Sequence, residues 1–397
     1  MSDTKTLLVV VYGGRSAEHD VSCVSALNVV AAVDPRRYEL RVVGITTSGT
    51  WLDVTGAALA AGAAGAATLP SPDSLTKPEG VILSGGSGTG AGPTLRPELL
   101  VPRPTTPKNP ATPKDSPSSG AVVAGSGKHS QRTVVLPLLH GPMGEDGTLQ
   151  GLLELAGVAY CGPGVAGCAA AMDKGLAKCL LASAGLPQAR HLYLREADTD
   201  ETIVDRVISE LGWPVFVKPA NMGSSIGITK VRQPLDLAAA LEKAFRYDTA
   251  VVIEENIEGR ELEIGVLGWP ELRASLPGEI KPSAEFYDYD DKYVLGTAGL
   301  EVPAVVSSDV AEKMAELAVS ACRALRVDSM ARVDFLYEVS GRGLLINEVN
   351  SIPGFTSISM FPRLWEASGL SYGTLIDELV ENAWLRHERR RRFETGR

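Results

Sequence analysis

Residues 330–360 read MARVDFLYEVSGRGLLINEVNSIPGFTSISM. VDFLYEV and LLINEVN are apolar-rich and alternating, which predicts two strands, and the Gly-Arg-Gly between them predicts a hairpin turn. Glu348 and Asn350 are two residues apart, so a strand points both side chains to one face. Asp334 lies on the partner strand, within reach across the hairpin, and Arg332 shares its face. Two carboxylates and an amide oxygen make a hard-oxygen set suited to Mg²⁺ or Mn²⁺ bridging phosphates. An arginine beside such a set can stabilise charge on a transferring phosphoryl group or a developing oxyanion. A solvated polar hairpin face would carry the same residues. The stretch alone leaves both readings open.

The sequence before the hairpin supplies what such a metal would serve. LGWPVFVKPA predicts a strand ending in Lys218, followed by the Gly/Ser loop NMGSSIG (221–227). Glycines let backbone approach a phosphate, amides and the Ser224 and Ser225 hydroxyls are donors, and Lys218 adds a point charge. ITKV, a helix over 234–247 and the strand TAVVIEENI follow, with Glu254 at that strand's end and Glu261 seven residues on. Residues 262–345 are strand-rich, interrupted by the acidic, tyrosine-rich EFYDYDDKY (285–293) and by a helix over 308–325. A helix over 170–185 precedes this region. A last helix over 373–387 runs into HERRRRFETGR, read as a solvated, frayed tail.

The N-terminal part has another pattern. TLLVVVYGG, a helix from Glu18 to Val33 and RVVGITT form a βαβ start, and such units build parallel sheets with sites at the strands' C-terminal ends. VILSGG (81–86) is read as continuing the pattern. Six prolines then fall between Pro102 and Pro117, and no Phe, Trp or Tyr occurs between Trp51 and Tyr160. Residues 87–131 are therefore read as a disordered surface insertion. GSGTGA (86–91) and GSGK (125–128) lie inside it; the first lacks a following helix and the second lacks the rest of a phosphate loop. Order resumes at the strand TVVLPLLHG (133–141). HGPMGEDGTLQG (140–151) then packs His140, Glu145 and Asp146 among glycines at a strand-to-helix turn, where α/β proteins bind substrates.

Composition narrows the class. A chain of 397 residues suggests roughly two to three domains. Hydrophobic residues are 44%, charged residues 22% and net charge −10. That is a globular balance, and it argues against a nucleic-acid-binding body. No run approaches the roughly 18 apolar residues of a membrane span. The N-terminus reads as a strand rather than a signal peptide, and the five cysteines as reduced thiols without metal spacing. These readings point to the cytoplasm.

Taken together, the chain resembles the D-alanine–D-alanine ligases of the ATP-grasp superfamily. The resemblance is carried by GGRSAEHDVS (13–22), HGPMGEDGTLQG (140–151), MDK (172–174), VKPANMGSSIG (217–227), IEENIEGRELE (253–263), FYDYDDKY (286–293), ARVDF (331–335) and NEVNSIPGFTSIS (347–359), in family order. It implies an α/β fold, α+β in its ATP-grasp part. A parallel-sheet N-terminal domain (1–163) would precede a central lobe (164–250) and a C-terminal lobe (251–397). It implies that Lys174 and Lys218 bind the ATP phosphates under Ser225 and its loop, and that Glu254 and Glu261 hold adenine and ribose. Asp334, Glu348 and Asn350 would carry two Mg²⁺ or Mn²⁺ ions. Glu18 would take the first D-alanine's ammonium through a network with Ser224 and Tyr293, and Lys292 would reach the γ-phosphate from a lid at 285–297. Arg332 and the Gly354 amide would stabilise the oxyanion, His140 would lie near the substrates, and Ser359 would bind the second D-alanine's carboxylate. The implied partners are ATP, D-alanine and a second copy in a homodimer. Three rivals remain in view: a relative that uses D-lactate, an ATP-grasp ligase for another carboxylate, and a catalytically silent nucleotide-binding protein. Tyr293, the SAEHD and HGPMGEDG matches, and the complete set of mapped positions weigh against them in turn.

Overall fold

The computed structural model describes residues 5–75, 80–83, 131–200, 202–281 and 299–394. Three sheets organise them. The first has strand order β4-β3-β2-β1-β5-β6, built from β1 (Thr6–Gly13), β2 (Tyr38–Ile45), β3 (Trp51–Asp53), β4 (Gly80–Leu83), β5 (Thr133–Pro137) and β6 (Ala159–Tyr160). β1 pairs in parallel with both β2 and β5, and β5 with β6, while β3 and β4 are antiparallel additions at one edge. The unbroken apolar run Leu7–Tyr12 is wholly buried, as a central strand covered on both faces must be. The expected βαβ start is present, with its helix at His19–Ala32. Of the expected insertion, only Gln131 is described; GSGTGA and GSGK lie outside the described residues, as do the last residues of VILSGG.

The second sheet, β7-β10-β8-β9, is antiparallel and comprises β7 (His191–Arg195), β8 (Val215–Pro219), β9 (Thr229–Val231) and β10 (Ala250–Glu255). Its apolar face packs on helices Ile203–Glu210 and Leu237–Phe245 through Val207, Leu241 and Ala244. The third sheet, β13-β12-β11-β14-β15, is also antiparallel and comprises β11 (Arg260–Gly268), β12 (Arg273–Lys281), β13 (Gly299–Glu301), β14 (Ser329–Glu338) and β15 (Gly343–Asn350). The helix Ser308–Leu325 covers one face with Met314, Leu317 and Ala321, and Ser307 caps its start. The division read at residues 250 and 251 runs through the start of β10, which pairs with β7 and β8. The two sheets part instead between Glu255 and Arg260.

Two expected helices differ. The single helix read over 170–185 is two, Val165–Met172 and Lys174–Ser183. Asp173 leaves helical geometry and its side chain accepts the Leu176 amide at 2.9 Å, the N-cap bond that starts a new helix. The basic run is not a frayed tail through its length: the last helix spans Tyr372–Arg390. Arg386 is buried, donating to the Tyr160 carbonyl at 2.9 Å and to Asp328 at 2.6 Å. Arg390 donates to Glu154 at 2.8 Å. Paired arginines thus fasten this helix to the first domain, which a charge count could not show.

Candidate active site

The hairpin of residues 330–360 has the expected form, and its register is decisive. Asp334 stands opposite Glu348, and Arg332 opposite Asn350, because Asn347 is taken up in a bulge between Asp334 and Phe335. On its other side β14 pairs with β11, which sets Glu263 opposite Asp334. One rung of the sheet therefore carries three carboxylates in a row. Arg332 is chelated by Asp334, Nε to Oδ1 and Nη2 to Oδ2 at 2.7 Å each, and its Nε lies 3.1 Å from Glu263 Oε2. Asn350 Nδ2 donates to Asp334 Oδ2 at 2.9 Å. Burial alone would lower the Arg332 pKa, but Asp334, Glu263 and Glu348 together hold it well above the ordinary arginine value.

Across the cleft, β8 and β10 place Lys218 beside Glu254; the two are hydrogen-bonded and their ring of neighbours includes Lys178, 2.5 Å from the other Glu254 oxygen. Burial would raise the Glu254 carboxyl, and the two lysines overcome it and hold the acid well below its usual range. For Lys218 burial is likewise overcome, by Glu254, and its pKa is raised. Lys174 begins the second of the two split helices: its backbone N–H donates to Ala220 at 3.0 Å, and its ammonium donates to the Met222 carbonyl. Burial lowers the Lys174 pKa. Lys174, Lys218, Ser225, Glu254, Glu261 and Glu348 all line one cleft between the second and third sheets. A cation-lined wall facing an acid wall is what a metal-bridged polyphosphate would neutralise.

The first domain contributes Glu18, just before the helix His19–Ala32, and His140, in the loop after β5. Ser224 Oγ donates to Glu18 Oε1, joining the first domain to the Gly/Ser loop. That loop needs unusual backbone: Ser224 and Ser225 both have positive φ, 48° and 59°. A Cβ on Gly223 or on Gly141 would lie 3.2 Å from Glu18 Oε2, so the carboxylate is seated between two bare backbones. His140 is buried with Nδ1 3.2 Å from the Ile352 carbonyl, and its Nε2 has no hydrogen-bond partner among the described residues. Burial lowers its pKa. Glu145 accepts the Gly141 amide at 2.7 Å, and burial followed by the charge of Glu18 pushes its carboxyl up to about 8. Gly354 and Ser359 meet closely: a Cβ on Gly354 would fall 2.7 Å from Ser359 Oγ, which accepts the Thr356 amide at 3.0 Å. Lys292, Tyr293 and the expected lid at 285–297 lie outside the described residues.

Lys178, Glu145 and Glu263 are the charged groups of this region that motif reading did not place in the site. The MDK motif stops four residues short of Lys178. Glu145 stood out only as one polar group of its loop, and Glu263 only as the last letter of a matched motif. All three are buried or nearly so, and a buried charge in an amphipathic pattern looks in sequence like a surface one.

Two antiparallel sheets closing on a cleft, with lysines on one wall and an acid–amide hairpin on the other, beside a parallel α/β domain, are the architecture of the ATP-grasp ligases. The chain belongs to the D-alanine–D-alanine ligase family. The family models described as "D-ala D-ala ligase N-terminus" and "D-ala D-ala ligase C-terminus" match residues 7–163 and 180–381. The chain is 44% identical over 393 residues to the D-alanine--D-alanine ligase of Mycolicibacterium gilvum (strain PYR-GCK), covering 96% of this chain and 97% of that one. It is 45% identical over 387 residues to that of Nocardia farcinica (strain IFM 10152), with the same coverages. Among solved structures it resembles the D-alanine-D-alanine ligase from Coxiella burnetii, with TM-score 0.76 and 32% identity over 98% of this chain and 96% of that one. It also resembles the VanG D-Ala:D-Ser ligase from Enterococcus faecalis, with TM-score 0.72 and 31% identity over 96% and 99%. Among the described residues no helix is long and apolar enough to cross a membrane.

Proposed function

We propose that this enzyme joins two D-alanine molecules into D-alanyl-D-alanine for peptidoglycan precursor synthesis, through a D-alanyl phosphate formed from ATP, releasing ADP and phosphate. The single observation that carries the reading is the Ser224–Glu18 hydrogen bond. It brings an amino-acid-binding acid of the first domain against the loop that follows the phosphate lysine.

In this reading Lys174 and Lys218 bind the ATP phosphates, with the Ser225 loop above them, and Glu254 and Glu261 border the nucleoside. Glu254 pairs with both Lys218 and Lys178, so Lys178 keeps Glu254 anionic when Lys218 turns to the phosphate. Glu18 holds the first D-alanine's ammonium, so that its carboxylate attacks the γ-phosphate. Ser224 and Tyr293 complete that network, and Lys292 reaches the γ-phosphate. The second D-alanine's amine attacks the acyl carbonyl, its carboxylate bound by Ser359 and His140 lying near. Arg332 and the Gly354 amide take the developing oxyanion. An acyl phosphate hydrolyses in water, so the loops must exclude it.

The donors Asp334, Glu348 and Asn350 fit two Mg²⁺ or Mn²⁺ ions: they are hard oxygens on adjacent rungs, and Asp334 and Glu348 line the cleft together with Lys174 and Lys218. Among the described residues no three His, Cys, Asp or Glu side chains converge into a metal cluster, and Arg332 occupies Asp334. When bound, the ions would be held by Asp334, Glu348 and Asn350 and would offset the charge of the phosphates. The division into an N-terminal domain and two lobes, a homodimer through the first domain, and a cytoplasmic setting, where ATP is supplied, belong to the same proposal.

The test is Mg²⁺-dependent ADP release over a panel of D-alanine, L-alanine, D-serine and D-lactate. D-alanine alone should support full release. Release supported equally by D-lactate, or by no amino acid, would sink the reading.

A further inference from the structure

Glu263 has no part in the roles above, yet it shares a rung with Asp334 and Glu348 and is 5% exposed. Its Oε2 lies 3.1 Å from Arg332 Nε, the same nitrogen that donates to Asp334 Oδ1 at 2.7 Å. Arg332 is therefore a half-buried cation between two carboxylates, hydrogen-bonded to Asp334 and within ion-pair range of Glu263. Asp334 uses both of its oxygens on that guanidinium, and Oδ2 also accepts from Asn350. Oδ2, with two donors, has no lone pair left for a divalent cation, while Oδ1 has one. A cation bound there sits beside the Arg332 guanidinium, repels it and weakens the chelate. An arginine cut loose in a half-buried site loses the orientation that an oxyanion donor needs.

We propose that Glu263 is a positioning residue that retains the Arg332 guanidinium when a divalent cation takes Asp334, so that metal loading and oxyanion placement do not compete. The inference rests on the assignment of Asp334 and Arg332 made under the proposed function. It gives Glu263 a role that acts through Arg332 and not on the cation itself.

Free Mn²⁺, followed by its electron paramagnetic resonance signal, is titrated against the full chain saturated with ADP. Glu263→Gln, which keeps the side chain's size, is expected to weaken Mn²⁺ binding about tenfold, because Arg332 then grips Asp334 more tightly. In an Arg332→Met background the same substitution should change binding by less than about threefold. Equal losses in both backgrounds would show that Glu263 acts on the cation directly, and no loss in the wild-type background would make it a bystander; either result overturns the proposal. Asp334→Asn separates the two layers. If that variant bound Mn²⁺ like the wild type, the metal assignment itself would fall, whatever Glu263 does.

Discussion

Arg332 is fixed by a chelating carboxylate on its own strand and a second acid on the neighbouring one. In its proposed role Arg332 is an oxyanion donor, and losing one costs about 2.7–4 kcal/mol of transition-state stabilisation, so Arg332→Ala should lower turnover by roughly 10²–10³. Steady-state kinetics check this, and near-normal turnover would remove Arg332 from the oxyanion site. Glu145 yields a pH prediction. Its carboxyl is raised from 4.5 to about 8 by burial and by Glu18, so folding favours its protonated form. That contribution is whole below the unfolded value and is lost as pH rises through about 8. Thermal unfolding between pH 5 and 9 should show a stability decline that Glu145→Gln flattens; an unchanged slope would count against the buried-acid description. The partner residues were legible where alternation and spacing put them on one strand face, as with Glu348 and Asn350. Glu263 was not, because what makes it matter is a neighbour 69 positions away, a separation that neither spacing nor motif reading spans.

At the scale of elements, the break at Asp173 sets where Lys174 points. The apolar pattern continues across it from Val165 to Leu181, so the sequence reads as one helix, and only the capping bond to Leu176 shows that a second one begins. Removing that cap with Asp173→Ala should cost about 1 kcal/mol of stability. It should also raise KM for ATP, since Lys174 starts the capped helix. Urea unfolding and ATP saturation curves measure the two effects, and a stability loss with KM unmoved would separate the cap from the phosphate site. The hairpin itself was fully legible, because Gly-Arg-Gly between two alternating runs allows little else. Its bulge at Asn347 was not, although that extra residue is what brings Asp334 level with Glu348. The parallel core of the first domain was readable from Leu7–Tyr12, but the antiparallel edge formed by β3 and β4 left no comparable signal in so short a run as Trp51–Asp53.

Across the whole molecule, the site exists only where the first domain meets the two sheets of the second half. Ser224–Glu18 closes that junction on one side, and Arg386, with its bonds to Tyr160 and Asp328, closes it on the other. Arg386→Leu leaves buried carbonyl acceptors and a carboxylate without their donor, which should cost about 2–3 kcal/mol. A lowered midpoint in thermal unfolding, with ATP and D-alanine still bound by the fraction that is folded, is the expected result. The family was readable from eight motifs in order, while the pairing that assembles them was not, since it depends on which surfaces fold against each other. The most direct measurement follows the oxygen atoms. With ATP, Mg²⁺ and D-alanine labelled with ¹⁸O in its carboxylate, an acyl phosphate transfers one labelled oxygen to the released phosphate as the dipeptide forms. Labelled phosphate in equal amount to D-alanyl-D-alanine is the expected result, and unlabelled phosphate, or ADP released with no dipeptide, would contradict the ligation described here.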